Sequence, residues 1–185
     1  MLKRLVVTGY KPHELGIFND KHPGIPVIRR ALADRIRGLL EEGLEWVIIS
    51  GQPGVETWAA ETAFELQEEY PSLQVAIILP FLNQEEKWND AKKAAFESIM
   101  AQADFTTVLT KRPYEAPWQF SERDKFLLRN SDGILIIYDE DNEGSPKWMK
   151  RLAGQRADAG DYEVLTINAE DLQLAAEDMQ AEKWE

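Results

Sequence analysis

The stretch Ile48-Ile49-Ser50-Gly51-Gln52-Pro53-Gly54-Val55-Glu56 runs an apolar strand into a glycine-punctuated turn that opens directly into a helix. A parallel sheet presents phosphate-binding backbone in this way. Gly51 and Gly54 accept positive φ and leave room beside the main chain, and the first amides of the helix starting near Val55 lack internal partners. The pattern is neither G-x-G-x-x-G nor a P-loop with its Lys-Ser/Thr pair. Alone, therefore, the turn reads equally as an anion seat or as an ordinary βα turn with two glycines.

Other strand ends point to the same place. Residues 3–10 (KRLVVTGY) form a buried-type strand ending in Thr8-Gly9, and residues 133–139 (GILIIYD) form another that ends in an acid. In an open α/β sheet the carboxyl ends of the parallel strands line one crevice. That predicts convergence of Thr8, Gly9, Tyr10, Gly51, Gly54, Glu56, Pro80 and Asp139, which are far apart in sequence. An aspartate at Gly54 is expected to block an approaching phosphate while the fold survives.

From end to end, strand-length apolar runs alternate with segments of helical period, with no linker and no internal repeat. After a long loop at 10–26, Val27, Ile28, Ala31, Leu32, Ile36, Leu39 and Leu40 make one helical face, closed by Gly43. Strands are read at 46–50, 73–79, 105–110, 133–138 and 163–167, and helices at 55–70, 85–103, 121–130, 145–159 and 169–183. This is a single α/β domain, a three-layer Rossmann-like fold with a mainly parallel sheet. Residues 5–8 belong at its centre between the strands ending at Ser50 and Tyr138, because those three runs are the most uniformly apolar. The neighbour of strand 105–110 is left open.

Composition sets further bounds. The 185 residues, 44% of them hydrophobic, are enough to bury a sizeable core. The chain has no cysteine, which excludes disulfides, thiolate metal sites and cysteine nucleophiles. No cationic leader with an apolar core opens the sequence and no apolar run is long enough for a bilayer, so residence in the cytoplasm without membrane insertion is expected. With 33 acidic against 21 basic residues, the formal charge of −12 repels a polyphosphate backbone and makes duplex nucleic acid an unsuitable partner. His13 and His22 have no partner at metal-ligand spacing, so no metal site is expected, and no cofactor is specified.

The order TGY at the first strand end, SGQPGVE at the second, Pro-Phe at the third, then F-x-x-R-D-x-F-L-L-x-x-S-D-G into ILIIYD, and finally GSPK, resembles the YpsA family of Firmicutes. That family belongs to the SLOG superfamily of Rossmann-like proteins, with the DprA recombination mediators and the LOG cytokinin-activating phosphoribohydrolases. The resemblance implies a pocket for a nucleotide or nucleotide-derived ligand such as ADP-ribose or NAD, in a sensor or regulator, and members have been linked to cell division. LOG enzymes carry P-G-G-x-G-T-x-x-E after the strand that here ends at Tyr138-Asp139. This chain has DEDNEGSPK at 139–147, without the catalytic Glu, which argues against N-glycosidic cleavage. The alternative is a nucleotide-processing enzyme with Glu56 or Asp139 as base or nucleophile.

The candidate ligand-binding set is Thr8, Gly9, Tyr10, Gly51, Gln52, Gly54, Glu56, Arg123, Asp139, Gly144, Ser145 and Lys147. Glu56 sits on a first helical turn, where the dipole favours an acid with or without a ligand; beside a phosphate loop it is also placed to accept from ribose hydroxyls. Gly144, Ser145 and Lys147 offer a second anion contact, or Ser145-Pro146 is an N-cap followed by Pro at N1. Arg123 and Asp124 read as an exposed ion-paired face, and the resemblance makes Arg123 a candidate for a ligand phosphate or carboxylate. Trp58 suits base stacking or the core, and Trp88 and Trp118 suit the flanks. Asp132 is expected to cap a turn before Gly133.

Overall fold

The structure, a computed structural model, describes residues 1–184. Six parallel strands form one sheet: β1 Arg4–Thr8, β2 Trp46–Ile49, β3 Gln74–Leu79, β4 Phe105–Val108, β5 Gly133–Ile137 and β6 Glu163–Ile167, in the order β4-β3-β2-β1-β5-β6. The expected α/β layering and the central place of β1, between β2 and β5, are what the structure has. Strand β4, unplaced from sequence, is the edge beside β3. Because β1, β2 and β5 are covered on both faces, they are continuous apolar runs, and Leu5, Val7, Val47, Ile49 and residues 134–136 are fully buried.

The helices are α1 Gly24–Glu41, α2 Val55–Glu69, α3 Asp90–Gln102, α4 Trp118–Arg129, α5 Pro146–Asp158 and α6 Ala169–Glu182. Helix α1 packs on α2 and α6, and α2 on α3, making one layer; α4 and α5 meet on the other face, over β3 and over β5–β6. Among the described residues, no helix is long and apolar enough to cross a membrane.

Three helix starts differ from expectation by three residues or more, each for a local reason. Helix α1 begins at Gly24, upstream of residue 27, because Pro26 falls in the first turn where its missing N–H costs nothing. Helix α3 begins at Asp90 and not at residue 85, because Asn89 caps it, accepting from the Lys92 amide at 2.9 Å. Helix α4 begins at Trp118, three residues early. There the fully buried Gln119 folds the preceding loop onto itself: its Oε1 accepts the amides of Glu115 and Ala116 at 2.6 and 3.1 Å. Asp132 does not cap its own turn. It accepts the amides of Lys3 and Arg4 at 3.0 and 2.9 Å and so anchors the start of β1.

Candidate functional site

Strands β1 and β2 end side by side, and both ends are held by one side chain. Glu56, in the first turn of α2 and 7% exposed, accepts the Ser50 amide at 2.6 Å and the Ser50 hydroxyl at 2.7 Å on Oε1, and the Thr8 hydroxyl at 3.2 Å on Oε2. Helix α2 also lies close on β1, because a side chain at Gly9 would meet Val55 at 2.8 Å. The alternation of strand and helix thus delivers polar groups to one crevice at the sheet's carboxyl edge.

That crevice is a cavity of about 350 Å³ between the ends of β1 and β2 and helices α4 and α5. Its polar wall includes Thr8, Gly9, Ser50, Gln52 and Glu56 on the sheet side and Ser121, Arg123, Asp124 and Ser145 on the helix side, with Lys11 also lining it. Phe120, Pro146, Trp148 and Met149 supply apolar surface. Gln52 is steadied by Gln84, whose Oε1 accepts its amide at 2.9 Å and which donates in turn to the Ser50 carbonyl at 3.2 Å.

Arg123 and Asp124 are not the exposed pair expected from sequence. Their side chains are 15% and 14% exposed, they pair at 2.9 Å, and the guanidinium lies 5.2 Å from the Phe120 ring centre. Burial pushes the Asp124 carboxyl above its usual range, against the opposing pull of the Arg123 charge and hydrogen bond.

Of the twelve candidate residues, Thr8, Gly9, Gln52, Glu56, Arg123 and Ser145 line the cavity. The other six lie behind or beside it. Tyr10 is 1% exposed and stacks on Tyr138 at 6.3 Å; its hydroxyl accepts the Asp139 amide at 2.7 Å and faces the carbonyls of Asp139 and Asn142. Asp139 accepts the Asp141 amide at 2.9 Å, closing a local turn. Gly51 packs inward, where a side chain would reach Leu79 and Gln84 at 3.0 Å. Lys147 pairs with Glu143 at 2.8 Å on the surface. Gly144 lies against Tyr10 and Glu14.

Gly54 has the strictest requirement. At φ 92° and ψ −133°, a side chain there would come 2.4 Å from the Tyr10 carbonyl oxygen, which itself accepts the Val55 amide at 3.1 Å. The close approach that demands glycine is thus to the protein's own backbone. The expectation that an aspartate at Gly54 leaves the fold intact is overturned by that contact.

Sequence reasoning missed Lys11, Ser50, Asp124 and Trp148 as lining residues. For α5 a signal was present: Ser145, Trp148 and Met149 recur at helical spacing, which puts Lys147 off that face. Ser145 itself is at the helix start but makes no side-chain cap; its hydroxyl donates to Glu14 Oε1 at 2.6 Å. Trp58 is 8% exposed and belongs to the core; Trp88 packs against it, and Trp118 is 44% exposed. Among the described residues no cluster of three or more His, Asp or Glu side chains is arranged to hold a metal ion.

A family model described as the YspA SLOG family, YpsA, matches residues 5–172. A UPF0398 protein of Lysinibacillus sphaericus is 60% identical over 179 residues, covering 97% of this chain and 100% of the relative. A UPF0398 protein of Bacillus pumilus is 49% identical over 179 residues, covering 96% of this chain and 95% of the relative. The UPF0398 protein YpsA of Bacillus subtilis is 47% identical over 177 residues, covering 96% and 98%. With a sheet of the Rossmann-like kind, a crevice at its carboxyl edge and a family match over most of its length, the chain belongs to the YpsA family of SLOG proteins.

Proposed function

We propose that the crevice binds a nucleotide or nucleotide-derived small molecule and that the chain is a cytoplasmic sensor or regulator that passes its bound state to a protein partner. One observation carries this reading: six of the residues expected at a nucleotide site, contributed by β1, the β2 turn, α2, α4 and the start of α5, surround one cavity. A volume of about 350 Å³ suits a small molecule of that class. Glu56, Asp124 and Gln52 offer acceptors for ribose hydroxyls, and Phe120 and Trp148 offer flat faces for a base. The link of the family to cell division makes a division protein the partner to test first.

Binding is favoured over catalysis because the best-placed carboxylate is already committed. Glu56 takes three hydrogen bonds from Ser50 and Thr8, which suits holding the strand ends and a hydroxyl more than attacking a bond. A thermal-shift panel of nucleosides, nucleotides, NAD and ADP-ribose tests the reading. A ligand at a hundred times its Kd stabilises by about 2.7 kcal/mol, a rise of roughly 5 to 10 °C for a chain of this size. No shift with any of them would refute it. Chromatography of the same mixtures is expected to return every ligand intact; free base or ribose phosphate at ordinary turnover, lost in Glu56→Gln, would make the chain an enzyme.

A further inference from the structure

Resting on that reading of the crevice, we propose that Glu14 is a specificity-determining residue: it closes the α5 end of the cavity to a second phosphate, so the site takes a nucleoside or nucleoside monophosphate and turns away diphosphate-bridged ligands.

The geometry at that end is built from four residues. Lys11 and Ser145 line the cavity there. Glu14, in a short 3-10 turn at Pro12–Leu15, reaches across to α5. Its Oε2 accepts the Ser145 amide at 2.6 Å, and its Oε1 accepts the Ser145 hydroxyl at 2.6 Å and the Lys11 amide at 2.8 Å. Gly144 closes the back of this clasp, since a side chain there would lie 2.6 Å from Glu14 Oε2 and 2.8 Å from the Tyr10 ring. Three hydrogen bonds hold the carboxylate in place, and any side chain at position 144 would displace it.

A diphosphate in a crevice of this kind draws on amides at a helix start. Here residues 145–147, which open α5, have none to give. The Ser145 amide belongs to Glu14, Pro146 has no N–H, and the Lys147 amide turns back to the Gly144 carbonyl at 3.4 Å. Bonded to the lining residue Ser145 is a fixed carboxylate, which repels a phosphate and cannot donate to it.

The charges lining the cavity lead to the same limit. Lys11 and Arg123 are its cations, and Glu56 and Asp124 its acids. Arg123 is already paired with Asp124 at 2.9 Å. Among the described residues, one uncommitted cation of the cavity, Lys11, is left for one anionic group. The remaining polar surface, from Thr8, Ser50, Gln52, Ser121 and the two carboxylates, suits hydroxyls and ring nitrogens.

Calorimetric titration of the wild-type chain and Glu14→Gln with adenosine, AMP and ADP-ribose tests this. The wild type is expected to bind AMP at least tenfold more tightly than ADP-ribose, and Glu14→Gln, which keeps the shape but not the charge, to narrow that ratio at least fivefold. A wild-type ratio below tenfold, or a ratio unchanged in a folded Glu14→Gln, overturns the role of Glu14 while leaving a nucleotide pocket in place. Should Glu14→Gln not fold, Glu14→Asp, which shortens the side chain by one methylene and withdraws the carboxylate from Ser145, takes its place, and an unchanged ratio there overturns the role of Glu14. Silence with all three probes refutes the nucleotide reading itself, and the Glu14 role with it.

Discussion

Glu56 and Ser50 are joined twice: one carboxylate oxygen accepts both the amide, at 2.6 Å, and the hydroxyl, at 2.7 Å, of a serine that ends the neighbouring strand. Both residues are buried, so neither donor can turn to water instead. Glu56→Ala is expected to cost about 2–3 kcal/mol by stranding the Ser50 amide, Glu56→Gln about 1–2 by replacing a charge-assisted bond with a neutral one, and Ser50→Ala about 1. Urea unfolding checks the order. Unchanged stability of Glu56→Ala would mean that the contact does not hold the strand ends together.

At Gly54 the prediction concerns backbone. Gly54→Ala must adopt φ 92° with its Cβ 2.4 Å from the Tyr10 carbonyl, a cost of about 3 kcal/mol or more. Gly154, inside α5 with nothing within 4 Å of an added Cβ, is the control: Gly154→Ala is expected to stabilise by about 0.5–1 kcal/mol. Thermal midpoints moving in opposite directions, down by roughly 6 °C or more and up by a few degrees, are the expected result.

The acid limb of stability follows from two carboxyls. For Glu14, burial raises the pKa, but the Ser145 hydroxyl, the Lys11 and Ser145 amides and the His13 charge together carry it below the usual range. For Asp132, burial is likewise outweighed, here by the Arg4 and Lys3 amides and the Arg4 guanidinium. A carboxyl lowered in the folded state stabilises the fold above its unfolded pKa, and that contribution is lost as pH falls through the folded value. Stability is therefore expected to hold near neutrality and to decline below about pH 4. Burial raises Tyr10 and Tyr162, whose contribution is full below about pH 10 and is lost as pH climbs through their folded values. Denaturation midpoints against pH read both limbs. A Glu14→Gln/Asp132→Asn variant with an unaltered acid limb would assign that limb to other groups.

The sheet was legible because β1, β2 and β5 are buried on both faces and so are written as unbroken apolar runs. Strand β4 was legible as a strand but not by position, since Phe105 and Thr106 are exposed at an edge whose neighbour is set by long-range pairing. At the site, strand ends located Thr8, Gly9 and Glu56, but the same rule included Tyr10 and Asp139, which turn away. The large Tyr10 ring gains more by stacking on Tyr138 than by lining a wet crevice. Lys11 and Glu14 went unseen because a non-periodic loop gives no hint of what it packs against, and the bond from Ser145 to Glu14 spans 131 positions in sequence.

Arg123 and Asp124 separate packing from binding. Removing the cation alone leaves a largely buried carboxyl without its partner, and Arg123→Ala is expected to cost about 1–3 kcal/mol, the cost of a fully buried pair discounted for the residual exposure of both side chains. Arg123→Ala/Asp124→Ala removes the stranded acid as well and is expected to recover at least half of that loss. Ligand affinity follows a different order if Asp124 accepts from a ribose hydroxyl, because the double variant then binds more weakly than Arg123→Ala while being more stable. Unfolding curves and titrations with AMP on the two variants read both quantities. A double variant that regains stability and affinity together would make the pair a packing element of α4, with no contact to the ligand.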